Sequence, residues 1–124
     1  METMNYLPMN KFEVIFLTEA REFLKTLDEK TQSKVILNID KSKVKNDITL
    51  FKKLNNEIWE FRTLYNSKQI RIFAFWDKTG EVEKLVLATH GIIKKTGKTP
   101  PKEIDKAESV RKLYFELKDQ QNGK

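Results

Sequence analysis

Three β-prone runs separated by very short connections constrain this chain more than anything else in it. Ile58 to Tyr65 reads IWEFRTLY, Gln69 to Trp76 reads QIRIFAFW, and Val82 to Ile93 is rich in Val, Leu and Ile. Asn66-Ser67-Lys68 joins the first two, and Asp77-Lys78-Thr79-Gly80 leads into the third. Connections this short can only join antiparallel neighbours. An antiparallel sheet is therefore the centre of the expected fold. Period-two alternation sets Trp59, Phe61 and Thr63 against Glu60, Arg62 and Leu64, and Ile70, Ile72, Ala74 and Trp76 against Arg71, Phe73 and Phe75. In the third run Val86, Ala88, His90 and Ile92 alternate against Leu85, Leu87 and Thr89.

The flanking segments supply what the sheet must bury against. Phe12 to Leu17 reads as a short strand. Thr18 is placed to cap a helix whose apolar stripe is Ala20, Phe23, Leu24 and Leu27. Asp28 or Thr31 can cap a second helix carrying Val35, Ile36 and Ile39, which ends near Ser42 to Val44. Residues 41–57 read as a lysine-decorated loop with a helical turn, closed by the turn signal Asn55-Asn56. Thr99 is expected to cap a terminal helix with Pro100 at its first position and Ile104, Ala107, Val110, Arg111 and Tyr114 on its packed side. The expected architecture is α+β in the order β-α-α-β-β-β-α, with a helical hairpin on one face of the sheet.

The 124 residues amount to one domain, with a core over about 12–117 and flexible ends at 1–10 and 119–124. Charge is unevenly spread: residues 1–40 carry −2, residues 41–98 carry +7 and residues 99–124 carry +1. A central positive excess favours a polyanion or an acidic protein. The chain has no cysteine and one histidine, so thiolate chemistry and multi-histidine metal sites are excluded. No metal or cofactor is expected. The absence of an 18-residue apolar run implies no membrane partner, and a cytoplasmic location is the default.

Two features concentrate the chemistry. Arg62 and Arg71 lie mid-strand and should stand opposite each other across the hairpin. Buried together they would be costly, so they are either paired with acids such as Glu60 or held open for a ligand. Arginine's planar fork suits two phosphate oxygens. The stretch His90–Pro101, HGIIKKTGKTPP, then brings His90, Lys94, Lys95 and Lys98 to a strand end that precedes a helix. Together they read as the wall and floor of a phosphate site.

Glu60-x-Arg62, Arg71-Ile72-Phe73, His90-Gly91, Lys94-Lys95-Thr96, Lys98-Thr99-Pro100, Glu103-Ile104 and Ala107, in that order, resemble the RelE/ParE toxin superfamily. The likeness is to its HigB-like, phage-related branch and spans about residues 12–117. Ile92 stands where that pattern has Phe, and Gly97 where Gln is common. The resemblance implies a RelE-like fold and the toxin of a type II toxin-antitoxin system. It implies a metal-independent endoribonuclease that cleaves mRNA in the ribosomal A site. It also implies a helix-turn-helix antitoxin of the HigA-like kind, held in a toxin-antitoxin hetero-oligomer. On this reading Arg62, Arg71, His90, Lys94 and Lys95 are the catalytic candidates. Lys52, Lys53 and Lys98 are RNA contacts, to mRNA or ribosomal RNA. A ParE-like toxin acting on DNA gyrase, and a non-catalytic member that only binds its antitoxin, are the alternatives from other classes.

Overall fold

A computed structural model describes residues 10–80, 85–95 and 97–121. The elements run β1 (Glu13–Phe16), α1 (Thr18–Lys25), α2 (Glu29–Val44), β2 (Phe51–Lys53), β3 (Ile58–Tyr65), β4 (Lys68–Asp77), β5 (Leu85–Lys94) and α3 (Pro101–Gln121). The strands form one sheet in the order β1-β5-β4-β3-β2. β1 runs parallel to β5, and every other neighbour is antiparallel. The mixed α+β class is therefore as expected, but the sheet has a fifth strand. Phe51–Lys53 lies in the stretch read as a loop and pairs with Trp59–Phe61. Phe51 enters the core by stacking on Phe61 with ring centroids 4.2 Å apart, which gives this short strand its anchor.

The local devices are plain in the sequence. Asp28 caps α2, accepting from the Thr31 N–H at 2.9 Å and from the Thr31 hydroxyl at 2.9 Å. The β3–β4 hairpin closes on Asn66 and Ser67, both with positive φ, so the two-residue turn follows the right-handed strand twist. Thr18 does not cap α1: it is the first helical residue, and Leu17 sits at the cap position without a side-chain bond. Thr99 does not cap the last helix either, which starts at Pro101. Its hydroxyl donates to Glu60 Oε1 at 2.7 Å instead. Of the ends expected to be flexible, residues 119–121 continue α3, and 1–9 and 122–124 lie outside the described residues.

The two faces of the sheet are covered by different helices. On one, Ala20, Leu27, Val35 and Ile39 of the α1–α2 hairpin meet Phe61, Ile70, Ile72, Ala74, Val86 and Ala88. Gly91 lets α1 lie close to β5: a Cβ there would run into the Phe23 ring. On the other face, α3 covers Ile58, Phe73, Phe75 and Leu87 with Ile104, Ala107, Val110, Tyr114 and Phe115. The Asp77 carboxylate ties α3 down, accepting from Tyr114 Oη and Lys118 Nζ, each at 2.6 Å. Burial alone would raise the Asp77 pKa, but the bonds from Lys118, Thr79 and Tyr114 outweigh it and hold it well below the usual carboxylate range. Burial and the Asp77 contact push Tyr114 up to about 12. Among the described residues no helix is long and apolar enough to cross a membrane.

Candidate anion-binding cleft

A bulge in β5 builds the site. Phe73 pairs with His90 but Ala74 pairs with Ala88, so Thr89 is the extra residue. The extra residue inverts the strand's alternation. Leu85 and Leu87 face α3, and so do His90, Ile92 and Lys94 beyond the bulge, whereas simple alternation groups His90 and Ile92 with Val86 and Ala88. Lys94 thereby joins the face that carries Arg71, Arg62 and Glu60. Arg62 and Arg71 are direct cross-strand partners, as the hairpin spacing requires. On the outer strand, Lys52 stands opposite Glu60.

Because α3 covers only the apolar half of this face, the polar half is an open cleft of about 390 Å³. It is lined by Lys52, Lys53, Glu60, Arg62, Lys94 and Lys98, closed off by Thr99 and Ile104. Glu60 is its hub and is 3% exposed. One of its oxygens lies 3.5 Å from Arg62 Nε, and the other lies 3.7 Å from Arg71 Nε and accepts from Thr99. The carboxylate thus offsets the repulsion of two facing arginines and links them to the start of α3. Arg71 is buried, with Nη1 donating to Ile70 O at 3.3 Å and Nη2 to Gln69 Oε1 at 3.1 Å. Its Nε is buried without a hydrogen-bond partner. A charged donor left so is costly unless something completes it. Burial lowers the Arg71 pKa, only partly opposed by Glu60. Lys94 is also lowered, first by burial and then by the neighbouring Arg71. Its ammonium group donates to Gly97 O, which brings Gly97 back beside the strand end at the cleft. Gly97 has a φ of 83°, the left-handed turn that this return needs.

Five of the eight residues singled out from the sequence line this cleft: Arg62, Lys94, Lys52, Lys53 and Lys98. Arg71 lies in its floor through Glu60. Lys95 is exposed just past β5 and is not among the lining residues. His90 is elsewhere in kind. It is 2% exposed and stacked on Phe73, ring centroids 4.9 Å apart. Its Nε2–H donates to Glu103 Oε1 at 2.9 Å, which leaves Nδ1 to accept from the Thr89 hydroxyl at 2.9 Å. Burial lowers its pKa, more than the Glu103 contact raises it. This geometry makes His90 the bolt between β5 and α3. Glu60, weighed from the sequence only as a counterion for the arginines, and Thr99, read as a helix cap, are the site residues not placed among the candidates. The available signal was the Glu-x-Arg spacing, which puts acid and arginine on one face of one strand.

The class so defined is a small α+β domain whose sheet presents a cationic, carboxylate-centred cleft beside its C-terminal helix. Within that class the chain belongs to the family described as phage derived protein Gp49-like (DUF891), whose model matches residues 22–112. The match takes in every candidate residue of the cleft and stops short of β1. Comparison with curated proteins gives no match.

Proposed function

We propose that this protein is the toxin of a type II toxin-antitoxin system and acts as a ribosome-dependent, metal-independent mRNA endoribonuclease. Membership of the Gp49-like family is compatible with a RelE-type toxin. The observation that carries the reading is an open cleft lined by Arg62, Lys52, Lys53, Lys94 and Lys98, with Arg71, the cross-strand partner of Arg62, buried beneath it on the shared Glu60 carboxylate. A phosphate in the cleft meets the Arg62 fork and the surrounding ammonium groups, with the Arg71 charge beneath adding to the field.

The chemistry follows from the charges around it. Lys94, whose pKa is held down by burial and by Arg71, takes the proton from the ribose 2′-hydroxyl. The 2′-oxygen then attacks the adjacent phosphorus. Arg62 and Arg71 stabilise the extra charge on the pentacoordinate phosphate. The bond to the 5′-oxygen breaks, and that oxygen collects a proton from the Lys98 ammonium in the same cleft. The products are a 2′,3′-cyclic phosphate and a 5′-hydroxyl. Lys52 and Lys53 hold the flanking backbone or ribosomal RNA, contacts that add affinity and salt sensitivity without sequence preference. His90 acts at a distance, by fixing β5 against α3. Lys95 remains available for RNA beyond the cleft. A helix-turn-helix antitoxin, in a hetero-oligomer with the toxin, is the partner on this reading.

Induced expression with growth as the readout tests the proposal. Arg62→Ala and Arg71→Ala should each abolish growth inhibition while the protein stays folded by circular dichroism. Arg62 is the safer of the two because it is only half-buried. Full toxicity in both variants refutes the cleft assignment.

A further inference from the structure

On the opposite face of the sheet, beside the same edge strand β2, lies a second cavity of about 430 Å³. Phe12, Phe51, Trp59 and Trp76 form its walls, with Lys11 and Lys45 at its lip. Ile48 lines it too and is 72% exposed, an apolar rim next to an apolar pocket. The Nε1–H of Trp76 is itself buried without a hydrogen-bond partner. Neither RNA nor the cationic cleft accounts for these features. We propose that this pocket is a docking site for an acidic peptide segment of a partner protein. An aliphatic or proline side chain would enter the aromatic walls, with flanking carboxylates on the lysine rim.

The ring geometry favours this occupant over a nucleobase. Trp76 meets Trp59 at 74° and Phe12 at 73°, so the Trp76 side of the pocket is built of corners, with only the Phe51–Trp59 pair, 30° apart, approaching a parallel platform. The Lys78 ammonium already lies over the Trp76 ring, 5.4 Å from its centroid. Corners of this kind grip a compact apolar anchor, as aromatic grooves grip proline-rich segments. The charge of the occupant follows from the rim. Lys11 and Lys45 line the pocket and Lys78 lies over its Trp76 wall, against one lining carboxylate, Asp47, which accepts from the Thr49 N–H and hydroxyl at 2.9 and 2.6 Å. The net field is positive and complements carboxylates flanking the anchor. The inference stands whether or not the cationic cleft cleaves RNA.

Both tryptophans of the chain line this pocket, so their two indole N–H resonances report on it directly. The probe is the blocked peptide Asp-Glu-Leu-Pro-Asp-Glu, titrated into the ¹⁵N-labelled full chain. A Lys-Arg-Leu-Pro-Lys-Arg peptide and hexauridylate serve as controls, and Trp76→Phe assigns the peaks. The acidic peptide should shift the Trp76 indole resonance saturably. Binding should weaken roughly threefold or more in Lys45→Glu, a change at an exposed position that leaves the fold intact. The proposal fails if the acidic peptide moves neither resonance, or if the basic peptide binds equally well. It also fails if hexauridylate alone moves them, which marks an RNA subsite. A shift on deleting residues 1–9, with no peptide present, makes the chain's own N-terminal segment the occupant and equally overturns it.

Discussion

Replacing Glu60 by Gln isolates the central electrostatic feature of the cleft. The amide keeps the shape and can still accept from Thr99, but the charge between Arg62 and Arg71 is gone. At 3.5 and 3.7 Å, each guanidinium–carboxylate attraction is worth about 4.5 kcal/mol at an effective dielectric of 20. Solvent in the open cleft and the 30% exposure of the Arg62 side chain reduce this. The buried Arg71, left unpaired, keeps most of its share, as does the unrelieved repulsion between the two arginines. A net loss of about 2–4 kcal/mol is expected, or roughly 10 °C in Tm. Inorganic phosphate should reverse part of that loss. With the carboxylate gone, two facing arginines bind the anion more tightly, and ligand at 100 times Kd adds about 2.7 kcal/mol. Thermal unfolding of both proteins across a phosphate titration reads both effects. A Tm loss under about 2 °C, or equal stabilisation of the two proteins by phosphate, would refute Glu60 as the internal counterion of an anion site.

Three further outcomes follow from other parts of the structure. If Lys94 is the base, cleavage should rise with pH through an apparent pKa below the ordinary lysine value, and Lys94→Arg should remove that limb; a rate flat from pH 6 to 9 contradicts it. His90 is lowered on folding, so its contribution to stability is complete above the unfolded value near 6.5 and is lost as pH falls toward the lower folded one; the wild type should lose denaturant stability over that window, and His90→Gln should not. Gly91→Ala should cost about 1–3 kcal/mol, because the added methyl collides with the Phe23 ring and α1 must lift from β5; an unchanged denaturation midpoint would show that the ring gives way freely.

What could be read in advance was what depends on local spacing. The Asn66-Ser67 turn fixes the β3–β4 register, and the register fixes Arg62 opposite Arg71. Asp28 and the two helical stripes were equally legible, because capping and amphipathic periodicity are short-range properties. The bulge at Thr89 was not, and it decides which face His90, Ile92 and Lys94 occupy. Nothing local marks an extra residue in a strand where every position but the apolar Ile93 is buried or half-buried, since alternation of polarity is then silent. β2 escaped for the opposite reason. Three residues reading Phe-Lys-Lys carry no period, and only the stack of Phe51 on Phe61 makes them a strand. The status of His90 also required the fold. Its partner Glu103 is 13 residues away on α3, and no spacing rule connects a strand histidine to a carboxylate on the following helix. Thr99 looked like a helix cap by composition, but the Glu60 carboxylate competes for its hydroxyl.

The most direct test of the central claim is to map mRNA 5′ ends after induction of the wild-type protein and of Arg62→Ala. The account predicts new 5′-hydroxyl ends in phase with codons in translated messages, present with the wild type and absent with the variant. Intact messages accompanied by a DNA-damage response would contradict it, and would move the protein's target from the ribosome to DNA gyrase.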